Sequence, residues 1–404
     1  MINLKSGELI TPPYLAFMQQ AVRILLANDQ HVLELEPAAY QHFACSGCGL
    51  CCQRPWGLSI SRAYYQQWYQ TFDSHPSGLY REPFRIQPRP DESNYADIRR
   101  KPGTGECIFL MDDRRCFVQA TYGEAALNDG CRAFPRYEGW FGAFLGRFMI
   151  TSCPEVHDLA WQFPGIRYTI GKVAAEKWGE MLRLPHPLGL YQGYLWLGVC
   201  LDLIGQPGLT PVQALRSLGS WLARLPATLA DTPLELLLTL QPASSAPVSF
   251  NPSADPRPAF ERLLELLAVQ PTVQAYVADV SRGLRRMPVL QPDEAGLMQS
   301  FLRSWLAYRC LSANYSSGSA VDFFFPFYYL LSLQLNLLQW LALYYRDREG
   351  GVLGREQLLR AATVVGYRYE QGPGLIAPLR QLSRAQCLEG MTRQLVFDWS
   401  AGRV

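Results

Sequence analysis

Four cysteines stand within eight residues of this sequence, as Cys45-Ser-Gly-Cys48-Gly-Leu-Cys51-Cys52. Packing alone does not require thiols at this density, and the intervening glycines let a backbone turn tightly around a metal ion or cluster. Thiolates at such spacing suit a soft cation, since structural zinc and an iron–sulfur cubane each take four of them. We therefore predict a metal or iron–sulfur site with these candidate ligands: Cys45, Cys48, Cys51, Cys52, Cys107, Cys116, Cys131 and Cys153.

The sequence leaves open which ion is bound and which sulfurs bind it. Eight candidate sulfurs can serve one site with spares, or two sites. Adjacent side chains such as Cys51 and Cys52 point in different directions, so we expect one of these two to bind elsewhere or to stay free. His42 and His157 lie near the cysteine motifs, but cysteines alone can fill such a site. We interpret both histidines as surface or hydrogen-bonded residues rather than ligands.

Motifs for nucleotide binding are absent from the sequence. No Gly-x-Gly-x-x-Gly follows a strand pattern, and there is no Walker A lysine loop. Cys45, Cys48 and Cys51 are each separated by two residues, which is not the spacing of radical S-adenosylmethionine enzymes. A methyl-donor site in this chain would therefore not be marked by a local pattern.

Short elements must position these sulfurs. Residues 13–28 predict an amphipathic helix that begins at a proline. The aromatic spacing of residues 56–69 predicts a second helix, capped by Ser59 or Ser61. Residues 107–118 predict a hairpin with an Asp-Asp turn and a thiol on each arm.

Two segments flank that hairpin. Residues 73–106, rich in proline and arginine, predict a loop with little regular structure, and we interpret their charge as a solvated face. Residues 137–152 predict a further hairpin that runs into Cys153-Pro154-Glu155. The cysteine motifs would thus be joined mainly by loops and hairpins.

From about residue 170 the chain is leucine-rich and has helical periods. We predict helices over 211–225, 258–269, 297–311 and 356–364, and a loop over 241–257. Residues 323–345 carry no charge and are long enough to cross a bilayer. This stretch also contains Pro326 and the polar residues Ser332, Gln334, Asn336 and Gln339, which would each cost free energy in a bilayer. We therefore predict a central core helix rather than a membrane span.

The fold class predicted from these patterns is mostly α, with a cysteine-rich α+β metal-binding subdomain built on short hairpins and a large helical domain. We place an N-terminal helical segment at 1–40, the cysteine-cluster domain at 41–165 and the helical domain at 166–404.

Composition narrows the class of protein. Apolar residues make up 49% and charged residues 18%, which indicates a globular protein. The formal charge of +2 gives no reason to expect a nucleic-acid partner. The first 30 residues lack the pattern of a signal peptide, so we expect a cytoplasmic location, where thiols stay reduced. Cys200, Cys310 and Cys387 each lie alone among apolar residues and are interpreted as core residues.

The order of the cysteine motifs resembles that of the zinc- or iron-chelating cysteine-cluster proteins. The motifs are Cys45-x-x-Cys48-x-x-Cys51-Cys52, Cys107-Ile-Phe-Leu, Cys116 and Cys131-Arg-x-Phe-Pro. Further segments are similar to one branch, the flagellin lysine-N-methylases: Trp56-x-x-x-Ile60-x-x-x-Tyr64, Phe134-Pro135-Arg136, Ser152-Cys153-Pro154-Glu155, Asn314-Tyr315 and Phe325-Pro326-Phe327.

This resemblance implies an enzyme, a transferase that moves a methyl group from S-adenosylmethionine to lysine side chains on a protein surface. It also implies an iron–sulfur cluster, of the 4Fe-4S type, in the cysteine domain, with zinc as the alternative. Glu155 is a candidate to orient or deprotonate the amine, although a first-turn helix carboxylate is the more ordinary role for it. Tyr64, Tyr137 and Trp140 are candidates to surround a cationic centre. Arg132 and Arg136 are candidates to bind a carboxylate or to balance thiolate charge.

Two other functions remain open from the residues alone. One is a non-catalytic metal-binding or iron–sulfur protein that acts through a partner. The other is an electron-transfer protein, which would not need so large a helical domain. Binding of S-adenosylmethionine would distinguish the methyltransferase from both of these functions.

Overall fold

A computed structural model of the chain describes residues 7–28, 30–53, 57–141, 144–172, 187–224, 290–312 and 320–369. The described residues divide into two compact units. Phe43–Tyr137 form the first, called here the cysteine-rich unit, and the described residues before and after it form the second, called here the helical unit.

Helices and strands alternate in the first half of the chain, and helices fill the rest. In chain order the elements are α1 (Tyr14–Ala27), β1 (His31–Pro37), β2 (Ser59–Ile60), α2 (Arg62–Asp73), β3 (Phe84–Ile86), β4 (Ala96–Ile98), α3 (Phe117–Tyr122), α4 (Asp129–Ala133), β5 (Arg136–Phe141), β6 (Phe144–Met149), α5 (Pro154–Gln162), β7 (Ile166–Lys172), α6 (Pro187–Gly205), α7 (Pro211–Arg224), α8 (Pro292–Leu311), α9 (Ala320–Arg348) and α10 (Arg355–Tyr369). Short 3₁₀ turns cover Ala38–His42 and Glu124–Ala126. This mixture confirms a mostly helical protein that also contains sheet.

The helical unit contains a mixed four-stranded sheet in the order β5-β6-β1-β7. β1 runs parallel to β6, with Leu33 opposite Phe144, and antiparallel to β7, with Leu35 opposite Tyr168. β5 and β6 are neighbours, which confirms the hairpin predicted over 137–152. Because β1 precedes the cysteine motifs and its sheet partners follow them, the cysteine-rich unit is an insertion between two strands of one sheet.

The observed unit boundaries therefore differ from the domain boundaries that the sequence suggested. The segments assigned to 1–40 and to the end of 41–165 both contribute strands to the helical unit. Long-range pairing of strands leaves no local mark in the sequence, whereas the cysteines do. The loop predicted over 241–257 and the helix over 258–269 lie outside the described residues.

Helix α1 begins directly after Pro13, as predicted, and its first turn is capped from a distant helix. Asp202 of α6 accepts hydrogen bonds from the backbone N–H groups of Tyr14 and Leu15, at 2.6 and 2.9 Å. Proline offers no side-chain acceptor, so this carboxylate replaces the missing N-cap. The two helices approach closely at Gly198, which has no side chain. A Cβ added there would lie 2.7 Å from the Cα of Leu15.

The uncharged stretch predicted as a core helix forms most of α9. Leu331, Leu335 and Leu338 are fully buried on it. Its polar side chains find partners inside the protein: the hydroxyl of Ser332, for example, donates to the carbonyl of Tyr328 at 2.8 Å. Within the described ranges, no helix has both the length and the apolar character needed to cross a membrane.

A buried ion pair ties α8 to the end of α9. The guanidinium of Arg346 donates to both carboxylate oxygens of Glu294, at 2.9 Å each. The backbone N–H of Leu353 adds a third bond to Glu294 at 2.6 Å. Glu294 is 5% exposed, so its charge depends on these donors rather than on water.

Two buried thiols meet in the helical core. The side chains of Cys200 on α6 and Cys310 on α8 hydrogen-bond with each other, and burial is the largest cause of the raised pKa of Cys200. Both residues are fully buried, which confirms their role in the core. Their contact could not be predicted from the sequence, since α6 and α8 pack together only in the tertiary structure. Cys387 lies outside the described residues.

The cysteine-rich unit is built on a small three-stranded sheet in the order β2-β4-β3 and on helix α2. Residues 73–106 thus include two strands, β3 and β4, where we expected a loop with little regular structure. Ser61 is the N-cap of α2 and accepts from the N–H of Tyr64 at 3.2 Å, whereas Ser59 lies in β2. An aromatic core between the helix and the sheet includes Phe72 and Phe109, whose ring centroids are 4.8 Å apart.

A candidate thiolate centre

The first cysteine motif forms a tight loop that depends on Gly49. The carbonyl of Gly49 accepts from the N–H of Cys52 at 3.0 Å, and Gly49 has a φ of +69°. A Cβ at this position would also lie 1.9 Å from the carbonyl oxygen of Arg114. Only glycine satisfies both the left-handed backbone and the close approach of the neighbouring turn.

Cys107 and Cys116 flank a narrow turn that follows the cysteine loop in the chain. A single antiparallel bridge joins Leu110 to Cys116, and the N–H of Phe117 donates to the carbonyl of Phe109 at 2.8 Å. The predicted hairpin over 107–118 is therefore present only as a tight turn, because Cys107 bridges to Arg100 and the residues after Cys116 form α3. Its first arm is fixed to the cysteine loop by the N–H of Cys107, which donates to the carbonyl of Cys52 at 2.7 Å.

Four sulfurs from these segments meet in the cysteine-rich unit. The Sγ atoms of Cys51 and Cys52 are 3.9 Å apart. The thiols of Cys107 and Cys116 also act on the pKa of Cys52. These four residues are called here the inner thiols. The side chains of Cys51 and Cys52 are therefore not directed apart, whereas the expectation that one of them binds elsewhere or stays free remains a prediction.

Charge in the inner thiols is shared unevenly. The hydrogen bond from Cys52 lowers the pKa of Cys116 to about 6 and also lowers the pKa values of Cys51 and Cys107. The neighbouring Cys107, Cys116 and Cys51 thiols, together with burial, raise the pKa of Cys52. Arg100 contributes to the lowered pKa of Cys107 through its positive charge. The set thus combines thiolate character with a partly buried, low-dielectric surrounding.

Soft cations match this donor set. Zinc–sulfur bonds of about 2.3 Å in a tetrahedron place neighbouring sulfurs roughly 3.8 Å apart, close to the 3.9 Å between Cys51 and Cys52. Four thiolates are also the usual ligands of a 4Fe-4S cluster. Among the described residues, however, no group of three or more His, Cys, Asp or Glu side chains already has the geometry of a metal site. The donor chemistry fits a metal, while the metal itself stays a prediction.

Cys131 lies beside the inner thiols. Burial, with smaller contributions from the charges of Cys107, Cys116 and Cys51, raises its pKa to about 12. Asn128 caps the short helix α4 and accepts from the N–H of Cys131 at 3.0 Å. Sequence reasoning did not identify Asn128, although an Asn-Asp-Gly start is a recognisable N-terminal helix signal.

The remaining candidate ligands occupy other surroundings. Cys45 and Cys48 are exposed, and the Sγ of Cys45 lies 3.8 Å from the amide oxygen of Gln119. Cys153 is buried, belongs to the helical unit and immediately precedes α5. A ligand role for these three residues stays a prediction.

The predicted aromatic and arginine candidates are placed as follows. Tyr64 donates from its hydroxyl to the carbonyl of Ala126 at 2.8 Å, and burial is the main cause of its raised pKa. Arg132 pairs with Asp129, and the guanidinium of Arg136 lies 5.1 Å from the ring centre of Phe43. Tyr137 lies in β5, and the side chain of Trp140 lies outside the described residues.

Glu155 and the two histidines belong to the helical unit. Glu155 stands in the first turn of α5, directly after Pro154, where a carboxylate complements the helix dipole. His157 is buried and interacts with a backbone group of Thr151, and burial lowers its pKa to about 4. Its Nε2 atom has no hydrogen-bond partner within the described ranges. His42 stacks on Phe163 with ring centroids 3.8 Å apart. The hydrogen-bonded role predicted for His157 is confirmed, and a catalytic role for Glu155 stays a prediction.

Comparison with known proteins gives partial relatives. The chain is 28% identical over 123 residues, 30% of its length, to a flagellar biosynthetic protein, FliU, of Salmonella muenchen, and covers 72% of that protein. It has the same identity over 123 residues to proteins called lysine-N-methylase from Salmonella choleraesuis (strain SC-B67) and Salmonella typhimurium (strain LT2), but covers only 30% of each. No family model and no solved structure matches the chain. The resemblance to lysine-N-methylases that the cysteine motifs indicate is therefore confirmed, over about three-tenths of the chain.

Proposed function

We propose that this chain is a protein-lysine N-methyltransferase that uses S-adenosylmethionine and carries a thiolate-bound iron–sulfur cluster in its cysteine-rich unit. Its substrate is a protein that presents surface lysines, as flagellin does for the family it resembles. The relatives named lysine-N-methylase support the reaction. The nearness of the inner thiols, which come from separate segments, is the observation that supports a bound metal, and the choice of an iron–sulfur cluster over zinc rests on the family resemblance.

The inner thiols are the residues that would hold the cluster. They come from the cysteine loop and from both arms of the following turn, and all four are partly or fully buried. A bound cluster would link these segments through metal–sulfur bonds, whereas at Cys107 and Cys116 isolated β-bridges join them to neighbouring residues. Cys131, beside the inner thiols, is the alternative ligand where one of the four is displaced.

Methyl transfer places simple demands on the chain. The lysine amine, with an ordinary pKa of about 10.4, must be neutral before its lone pair can attack the methyl carbon. The new C–N bond forms as the C–S bond breaks, sulfur keeps the bonding electrons, and the methylated ammonium then releases a proton. The protein must hold amine and methyl carbon in line and exclude water. Glu155 is the carboxylate that we propose to orient the amine.

A direct test combines transfer and metal content. Protein purified without oxygen is expected to contain iron and acid-labile sulfide and to add methylene-mass increments to lysines of a surface protein in the presence of S-adenosylmethionine. Comparison of lysine masses between cells with and without the gene identifies the substrate. If the protein contains zinc and no iron, the inner thiols bind zinc and the cluster proposal is wrong. Metal without any methyl transfer or donor binding would instead support a non-catalytic metal-binding protein.

A further inference from the structure

A cavity of about 350 Å³ lies within the helical unit. It is bounded by the first turn of α1, the end of α5 and the residues leading into β7, together with α6 and α8. Its volume lies within the range of about 300–1,000 Å³ that is usual for small-molecule sites. Small residues leave the space open: Ala39, Ala160, Gly165, Gly205 and Ala307.

Aromatic side chains line the cavity, and Trp161 and Phe163 among them each pack against a second ring. Trp161 packs edge-to-face on Phe301, with ring centroids 5.2 Å apart. Phe163 stacks on His42 at 3.8 Å. Because these rings already have packing partners, they offer fixed apolar faces to a flat ligand, at little cost in side-chain ordering.

One cation faces the cavity without a carboxylate partner among the described residues. Arg303 of α8 donates through its two terminal nitrogens to the carbonyls of Ile204 and Leu209, which lie at and beyond the end of α6. A guanidinium has five N–H donors, so these two contacts leave donors available. Burial lowers the pKa of Arg303, which reflects the energetic cost of a charge that lacks an anion.

We propose that this cavity binds the methyl donor, with the donor's carboxylate at Arg303 and its adenine against the aromatic rings. S-Adenosylmethionine offers the two chemical features that the walls call for, a flat aromatic base and a carboxylate. The inference rests on the proposed methyltransferase function, since it assigns a place to the donor of that reaction. It concerns only residues of the helical unit.

The test measures binding rather than turnover. Calorimetry on the full chain, purified without oxygen, uses the product S-adenosylhomocysteine as the ligand. Ala307→Leu fills the cavity without removing a hydrogen bond, and Arg303→Gln removes the cation. Arg303→Gln is expected to weaken binding by about tenfold to a hundredfold, the range for a lost charged hydrogen bond. Ala307→Leu is expected to weaken binding by about tenfold or more, because its side chain occupies the ligand's space. Arg348→Gln, an exposed change at the end of α9, is the matched control and should bind as the wild type does.

A second ligand separates a direct role of Arg303 from a structural one. 5′-Methylthioadenosine keeps the base but lacks the carboxylate. Arg303→Gln should therefore weaken S-adenosylhomocysteine and leave methylthioadenosine unchanged, while Ala307→Leu should weaken both. Where Arg303→Gln does not fold, Ala307→Leu carries the test alone.

The possible failures are distinct. Undiminished binding of S-adenosylhomocysteine to Ala307→Leu would overturn the cavity assignment and leave the methyltransferase proposal intact. Absence of any binding to the wild-type protein would overturn both.

Discussion

The two units of this protein achieve stability in different ways. In the cysteine-rich unit the described helices reach at most 12 residues, and its sulfurs lie against an aromatic core. In the helical unit α9 alone spans 29 residues, and leucines and a buried ion pair fill the interior. Short elements bury too little apolar surface to fold firmly alone, so a cross-link such as a metal can decide their stability. The comparison teaches that thiol changes and core changes should act on separate units.

The largest expected effect is loss of the proposed metal. Cys107→Ala removes one inner thiol, and structural metal sites can contribute on the order of 10 kcal/mol to the folding of small domains. We expect bound metal to disappear and backbone amides of the cysteine-rich unit to lose protection from hydrogen exchange, while amides of the helical unit stay protected. Cys310→Ala, a buried thiol of the helical unit, serves as the control and should keep the metal. Full metal content in both Cys107→Ala and Cys116→Ala would contradict the site.

Breaking the buried ion pair should destabilise the helical unit and leave the metal of the cysteine-rich unit in place. Glu294→Ala leaves Arg346 buried without its carboxylate, and breaking such a pair costs about 3–5 kcal/mol. Chemical denaturation should show this loss for the helical unit, with metal content unchanged. Glu349→Ala, whose pair with Arg360 is partly exposed, should cost less than about 1 kcal/mol. Equal costs for the two variants would show that burial does not control this pair.

Acid should weaken the helical unit through His157. Its pKa is lowered from 6.5 to about 4 by burial, so the fold favours the neutral ring. This contribution is complete above pH 6.5 and is lost as the pH falls towards 4, by about 3 kcal/mol in total. Glu294 has a lowered pKa as well, and its contribution is lost only at more acidic pH. Denaturation between pH 7 and about 4 should show a shallower pH dependence for His157→Gln; an unchanged slope would assign the effect to another group.

The smallest expected effect concerns the start of α2. Ser61→Ala removes the side-chain acceptor of the Tyr64 N–H, which should cost about 1 kcal/mol. Ser93→Ala, an exposed serine of the same unit, is the control. Thermal unfolding of the metal-loaded protein measures both, and a larger cost for Ser93→Ala would contradict the assignment of the cap.

Local patterns predicted much of this architecture. The start of α1 after Pro13, the Ser61 cap, the hairpin of β5 and β6 and the buried α9 all follow from residues close together in the chain. The strands within 73–106 were missed because proline and arginine obscure their pattern. The contact between Cys200 and Cys310 was missed because it joins two helices far apart in sequence.

The amino-acid sequence by itself determined that eight sulfurs stand in five short motifs, and that long apolar helices follow them. Only the tertiary structure decided which sulfurs meet, that Cys153 belongs to the other unit and that strands before and after the cysteines share one sheet. The physical reason is range. Spacing, caps and glycine positions act over a few residues, whereas sulfur contacts, strand partners and cavity walls arise when distant segments pack together.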